Sequence, residues 1–437
     1  MSKKPYLAAL SLLLASTIAL SGCEQVQEDV NQEDTNEIQE NEPEETDEQN
    51  DAYTDDEQED AESEESADTE EDESEEAGEE ETASIFGLQE DLVYISADRL
   101  SVRADSSEDS KSRGSLSKGN EVRVLDEVEN DDATWYQIAH HNPDVNEGWV
   151  SAEFTVSDLN ELHVSTNFDD EEMNEFFTSP TLFEDNRVVA YYGHPNSEIM
   201  GIVGRHSFED LIDLLEETTQ TYDDADEDKG AVPAIYLVYG TVQPGGVVHK
   251  MNYDLVMSYI EAACQRGVLV YIDHQMGRNH PTYSINEILS FLRYPNVHLA
   301  LDPEWRTERP MQEVGHITGS ELNGVQERMQ EYIETYEIQG TRQFVFHQFV
   351  EKMIVDVEDI SAEYDPVLPV HNTSGWGAPD GKRATHEKVT EASDMPYKGF
   401  KLWYHFSDQP GVHYDNPLMT PEDVLDLDPQ PGLIIYQ

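Results

Sequence analysis

The segment Val297-His298-Leu299-Ala300-Leu301-Asp302-Pro303-Glu304-Trp305-Arg306 decides how the C-terminal half of this 437-residue chain is read. Its apolar run is broken only by His298, and a continuous apolar run suits a parallel strand buried on both faces. Pro303 removes a ladder donor, so the strand ends there with Glu304 at the rim. Seven more runs of this kind stand around it: Arg187–Tyr192, Ala234–Tyr239, Val268–Asp273, Gln343–His347, Val367–His371, Phe400–His405 and Gly432–Tyr436. Helical stretches separate most of them. Ser207 opens one with Leu211, Leu214 and Leu215 on a single face, and another runs from Asn252 to Gln265 and stops before Gly267. Ser284 opens a third, Ser320 a fourth and Thr420-Pro421 a fifth, with Pro at the first helical position. Helices after the fifth and sixth strands are poorly marked. Eight strands from residue 187 to the end match the ~250 residues of a (β/α)8 barrel, so the expected fold class is α/β, a TIM-type barrel within residues 158–437.

In such a barrel the chemistry sits at the C-terminal ends of the strands and in the loops that follow. The first strand ends Tyr191-Tyr192-Gly193-His194, the third Tyr271-Ile272-Asp273-His274, and the fourth Asp302-Pro303-Glu304-Trp305-Arg306. The fifth ends His347-Gln348, the sixth His371-Asn372 and the seventh Trp403-Tyr404-His405. Asp302 and Glu304 form the candidate catalytic pair. At i and i+2 on a strand their side chains share a face, ~6–7 Å apart along the chain. A carboxyl crowded beside another has its proton affinity raised, as a general acid requires. This ending resembles the D-x-E that closes the fourth strand in chitinase-like and muramidase-like glycosidases, and the resemblance implies that Glu304 protonates the leaving oxygen. It departs from the chitinase form in lacking acidic residues between Val297 and Leu301. A structural carboxylate ion-paired to Arg278 or Arg306 is the plainer alternative.

Substrate contacts are expected from Tyr192, His194, Asp273, His274, Arg278, Trp305, Arg306, His347, His371, Trp376, Tyr404 and His405. Trp305, Trp376 and Trp403 fall at or just after strand ends, with Tyr192, Tyr239 and Tyr404 nearby; such rings stack on sugar C–H faces, or else pack the core. Arg278, Arg306 and Arg309 either fix the carboxylates or bind an anionic group on the substrate. The histidines carry a rival reading, in which His194, His274, His347, His371 and His405 with Asp273 and Asp302 ligate a metal that activates water. The first strand has no H-x-H pair and the eighth ends Ile435-Tyr436-Gln437 without an acid, unlike the amidohydrolase barrel. Satisfied histidines or hydrogen-bond donors to substrate are therefore preferred, and no metal or cofactor is expected. Cys264 lies in the amphipathic helix after the second strand and reads as a buried thiol.

Upstream, Lys3-Lys4 precedes an apolar run from Leu7 to Leu20 and the sequence Leu20-Ser21-Gly22-Cys23. This is an export signal, too short for a spanning helix. LSGC resembles the lipobox of bacterial lipoproteins, which implies lipidation at Cys23 and a place on the extracellular face of the bacterial membrane. Residues 24–84 hold 31 acidic residues and no Lys or Arg. They bury too little apolar surface to fold and form a disordered acidic linker. Residues 85–157 then alternate apolar and polar in short runs bounded by turn residues, the mark of a small antiparallel barrel. Leu100-Ser101-Val102-Arg103, Gly114-Ser115-Leu116-Ser117-Lys118-Gly119-Asn120-Glu121-Val122, Trp135-Tyr136-Gln137-Ile138 and Gly148-Trp149-Val150 resemble, in that order, the bacterial SH3 (SH3b) family. The resemblance spans residues 92–156 and implies either a module that targets cell-wall peptides or a spacer. Ala104-Asp105-Ser106 stands where the family usually has Gly-Pro.

The net charge of -70, from 95 Asp+Glu against 25 Lys+Arg, excludes binding of nucleic acid by phosphate neutralisation. The acidic linker supplies less than half of that imbalance, so the folded part is itself acidic, as suits high salt or alkali. Two cysteines exclude a disulfide framework. Together these features lead us to expect a lipid-anchored monomer whose barrel hydrolyses a cell-wall or extracellular glycan. The alternatives are a metal-dependent hydrolase and a non-catalytic glycan-binding protein.

Overall fold

All eight apolar runs become strands of one closed parallel sheet. In this computed structural model they are β1 (Asn186–Gly193), β2 (Gly230–Gln243), β3 (Leu269–Gln275), β4 (Val297–Asp302), β5 (Arg342–Gln348), β6 (Val367–Thr373), β7 (Tyr397–Leu402) and β8 (Leu433–Tyr436). Each pairs with the next in parallel, and β8 returns to β1, with Leu433 opposite Val188 and Tyr436 opposite Tyr191. The described residues are 91–437, apart from 131–132, 141–144, 163–167, 169 and 410. Cys23, the export signal of residues 1–23 and the acidic linker of residues 24–84 lie outside them.

Strand alternation divides the core into two layers. Val188, Ala190, Tyr192, Val232, Ala234, Tyr236, Leu269, Tyr271, Ala300, Val345, Val370 and Ile435 fill the lumen. Their neighbours, such as Val189, Ile235, Ile272, Leu299, Phe346 and Ile434, face outward to the helices. Ser207 caps helix Phe208–Ala225 by accepting the Asp210 N–H, and Asn252 caps helix Tyr253–Gln265. That second helix stops where Gly267 takes φ 71°, a left-handed conformation that favours glycine.

Three boundaries differ from expectation. Ser284 lies inside a short helix, Pro281–Asn286, because His280 caps it through Nδ1 and Pro281 supplies the fixed φ of its first turn. Helix Gly319–Thr335 starts before Ser320, because Thr318 and Glu321 close a reciprocal capping box. The seventh strand begins at Tyr397 and leaves the sheet before Trp403, whose N–H turns to Asp415 Oδ2 at 3.0 Å. The loop after β5 holds short 3-10 turns, Glu351–Met353 and Val357–Asp359, while helix Pro379–Glu391 follows β6.

Residues 92–156 form a seven-stranded antiparallel sheet around Ile95, Leu100, Val102, Leu116, Val122, Ile138 and Val150. Trp135 is buried in it, and Trp149 is half-buried. This module packs on the outer layer of the barrel. Arg293 lies 3.9 Å from the Tyr336 ring centroid and 5.1 Å from that of Tyr94, and donates to Tyr94 and Tyr332 hydroxyls. Lys118 pairs with Asp254 at 2.5 Å.

Candidate active site

Alternation decides which side chains reach the C-terminal mouth. Asp273 follows Leu269 and Tyr271 on the lumen side of β3, and Asp302 follows His298 and Ala300 on β4. On β5, β6 and β7 the same phase brings His347, Asn372 and Lys401 inward. These side chains, with Tyr192 of β1, make one polar layer above the apolar filling. Asp273, His347 and Asn372 are fully buried, and Asp302 and Lys401 are 4% and 3% exposed. Glu304, in the turn after β4, is half-buried.

The contacts within this layer are specific. Asp302 accepts the Glu304 backbone N–H at 3.1 Å. Tyr192 donates its hydroxyl to Asp273 Oδ2 at 3.3 Å, while Asp273 Oδ1 has no partner. The Lys401 ammonium lies 3.5 Å from the Tyr192 ring centroid and 4.7 Å from that of Trp403. Asn372 donates Nδ2 to His347 Nδ1 at 2.9 Å, and His347 Nε2 shares a 2.8 Å hydrogen bond with the Tyr236 hydroxyl. Asn372 needs the absence of a side chain at Gly399, where a Cβ would fall 2.4 Å from its Oδ1. Tyr236 stacks on Tyr271 at 5.2 Å and packs on Tyr192 at 5.3 Å, so the layer rests on an aromatic floor.

Burial governs the titration of this layer. Desolvation pushes the Asp302, Asp273 and Glu304 carboxyls above the ordinary carboxylate range, and Asp302's charge raises the other two further. Lys401 opposes both effects. Its own affinity for a proton is lowered by desolvation and sustained by Asp302, Asp273 and Glu304. Burial holds the His347 imidazole neutral, well below the usual histidine range.

Several expected contacts lie elsewhere. His274 points out of the lumen against Gly240 of β2, with a Tyr239 ring 6.0 Å away, and burial lowers its pKa to about 4. One step of alternation after Asp273 puts it on the opposite face. His371 also faces outward; its Nδ1 meets Ser393 Oγ and its Nε2 meets Gln348 Oε1, both at 2.8 Å. Tyr404 stacks on Tyr436 in the outer layer at 5.2 Å, because the chain has left the sheet at Trp403. His194 sits at the rim, where its Nδ1 accepts the Asn196 N–H at 3.1 Å, and exposed His405 packs on Tyr414. The five histidines therefore do not converge, and among the described residues no group of three or more His, Cys, Asp or Glu side chains is arranged to hold a metal ion.

At the rim, Trp376 is 38% exposed, stacks on His413 at 3.8 Å and meets Trp403 edge-on at 5.7 Å. A buried ion pair holds this ledge: Lys382 Nζ lies 3.1 Å from Asp415 Oδ2, and Asp415 accepts the N–H groups of Trp403 and Gly377. Arg278, Arg306 and Arg309 line a separate cavity of about 450 Å³. Arg306 pairs with Glu321 at 2.7 Å and Arg309 with Glu313, so neither is an ion-pair partner of Asp302 or Glu304; Arg278 is exposed. Trp305 is half-buried beside Glu304. A larger cavity, about 1170 Å³, includes Tyr94, Arg293 and Arg342 in its lining and none of the mouth residues.

Lys401, Asn372 and Tyr236 are the site residues that the strand-end reading missed. Their signal was a polar residue inside a buried run, as in Gly399-Phe400-Lys401-Leu402, where period two puts Lys401 on the face of Gly399.

The fold and this layer define a (β/α)8 barrel with a buried carboxyl cluster at the C-terminal mouth of its strands, joined to a small antiparallel module. Residues 98–156 match the model of the bacterial SH3 domain. No curated protein sequence matches the chain. The structural neighbours of the barrel include glycoside hydrolases. The GH18 chitinase ChiB from the chitin utilization locus of Flavobacterium johnsoniae is 12% identical over 58% of this chain and 87% of its own, with a TM-score of 0.33. The catalytic domain of a family GH18 chitinase from the fern Peteris ryukyuensis is 11% identical over 57% and 91%, at 0.35. GH5_18 from Streptomyces cattleya is 12% identical over 58% and 70%, at 0.34.

Proposed function

We propose that the barrel hydrolyses a cell-wall or extracellular glycan, with Glu304 as general acid and Asp302 as nucleophile, stabiliser or base. The supporting observation is the arrangement at the end of β4. Asp302 is buried and hydrogen-bonded from the Glu304 N–H, while Glu304 is pushed towards its protonated form and remains partly open to the mouth. Burial raises both carboxyls and the charge of Asp302 raises Glu304 further, and a pair set apart in this way is what acid–base cleavage of a glycosidic bond requires. Trp305 and Trp376 offer aromatic faces to the sugar, and the SH3 module holds the protein to wall peptides. Lipidation at Cys23 keeps the whole on the extracellular face of the bacterial membrane, through the acidic linker.

Incubation of the protein with peptidoglycan and other envelope glycans, followed by assay of new reducing ends, tests this. Wild type releases them and Glu304→Gln does not. Full activity in Glu304→Gln would sink the assignment, and binding without release by wild type would make the barrel a glycan-binding protein. The anomeric product then reports the carboxyl separation, ~5–5.5 Å for retention against ~6.5–9.5 Å for inversion.

A further inference from the structure

We propose that the arginine-lined cavity beside the mouth is a subsite for one oxyanion, a sugar carboxylate or a phosphodiester, so that the glycan bound here is an acidic one. Only the link to a glycan rests on the hydrolase reading. Three loops build the cavity. A hairpin beyond β2 turns at Gly245-Gly246 and returns with Val247 opposite Gln243, the loop after β3 supplies Gly277 and Arg278, and the turn after β4 supplies Arg306 to Arg309. Backbone bonds lock the three together: Gly245 N–H to the Glu308 carbonyl at 2.8 Å, Arg278 N–H to the Gly246 carbonyl at 3.1 Å, and Gly277 N–H to the Trp305 carbonyl at 2.9 Å. So close an approach needs glycine. A Cβ at Gly277 would fall 2.2 Å from the Gly246 oxygen, and Gly246 and Gly277 take left-handed φ values of 71° and 58°. The cavity is therefore formed before any ligand arrives, and its volume of about 450 Å³ lies within the ~300–1,000 Å³ of small-ligand pockets.

Its charges are unequally engaged. Among the described arginines of the barrel, Arg278 alone gives its guanidinium to neither a carboxylate nor a carbonyl; Arg187, Arg205, Arg266, Arg293, Arg306, Arg309, Arg328 and Arg383 are ion-paired, and Arg342 bonds carbonyls. In a chain with 95 Asp+Glu against 25 Lys+Arg, carboxylates to answer it are abundant, yet those around the cavity are turned elsewhere. Glu313 accepts from Thr307 and Arg309, Glu321 takes Arg306, and exposed Glu308 forms no ion pair with Arg278 among the described residues. One unanswered guanidinium, itself exposed, is left for a ligand. Its planar fork matches the paired oxygens of a carboxylate or a phosphodiester. The turn that carries Arg306 also carries Glu304, whose carbonyl accepts the Gly315 N–H at 2.7 Å. An anion held by Arg278 thus anchors a glycan beside the candidate acid, and Arg278 acts as a specificity residue.

The test is a 15N NMR titration of the whole protein at low salt, following the Gly277 amide and the Arg278 Nε–H, with glucuronate, dimethyl phosphate and glucose as probes. Glucuronate or dimethyl phosphate shifts both signals saturably, the tighter of the two naming the substituent, and glucose does not. Arg278→Gln, an exchange at an exposed side chain, weakens that binding about tenfold or more, the worth of a charge-assisted hydrogen bond. Arg278→Lys keeps the charge without the fork and falls between. Absence of a saturable shift with either anion, a shift of the same size with glucose, or unchanged binding in Arg278→Gln would overturn the proposal. None of these readouts depends on turnover, so a protein that cleaves no glycan would refute the hydrolase reading and leave the anion site standing.

Discussion

The two ends of the barrel both bury charge, and they treat it differently. At the base, Arg187 is 3% exposed and bonds Asp226 at 2.8 Å, Gln430 at 2.7 Å and the Pro431 carbonyl at 2.9 Å. Arg342, 2% exposed, donates to the carbonyls of Leu292, Gln339 and Thr341. Every one of these contacts ties a strand start to a loop or helix end. At the mouth, Asp273 Oδ1 and Asn372 Oδ1 are buried without partners, and three carboxyls face one free ammonium. Saturated charge at the base is structure; unsaturated charge at the mouth is capacity for a ligand and for proton transfer.

Mutation of the two ends sharpens that contrast. The largest effect belongs to Glu304→Gln, for which glycan cleavage should fall ~10²–10⁴-fold, the usual worth of a general acid, with the thermal melt retained. Arg187→Met breaks a saturated buried network and should cost ~3–5 kcal/mol in denaturant unfolding, while folded molecules keep their turnover. Equal loss of activity and stability in both variants would erase the distinction.

A pH series separates the ends further. Glu304 binds its proton more tightly folded than unfolded, so its contribution to stability is full below the ordinary glutamate pKa and is lost as pH rises through the higher folded value. Glu304→Gln has no proton to lose, and its melting temperature should gain on wild type as pH rises. Asp302→Asn should move the same way, since burial raises the folded Asp302 carboxyl as well and the variant has no proton there to lose. For activity, the same pair makes a bell: rate rises as Asp302 ionises and falls as Glu304 loses its proton. Trp376→Ala should raise KM several-fold with kcat nearly kept. The smallest effect is expected from Tyr404→Phe, whose ring packs on Tyr436 in the outer layer; turnover should match wild type.

The eight strands were legible because burial on both faces forces continuous apolar runs, and the cues at Ser207, Asn252 and Thr420 all cap helices where expected. His280 and Thr318 were missed as caps because imidazole is an unusual cap and the capping box depends on Glu321 three residues on. The carboxyl pair at the end of β4 was visible as Asp302-Pro303-Glu304. The rest of the mouth was not, because a strand end shows which polar residues are near the rim and not which face they take.

By itself the sequence determined the strand count, the order of the two folded parts, the acidic balance and the pair at the end of β4, since all of these are local pattern and composition. Only the tertiary structure decided that His347 turns inward while His274 and His371 turn out, that Arg306 answers to Glu321, and that Lys401 stands among the carboxyls. Those outcomes depend on the phase of each strand when the sheet closes and on the field that converging side chains impose on one another, and neither quantity exists until the barrel is formed.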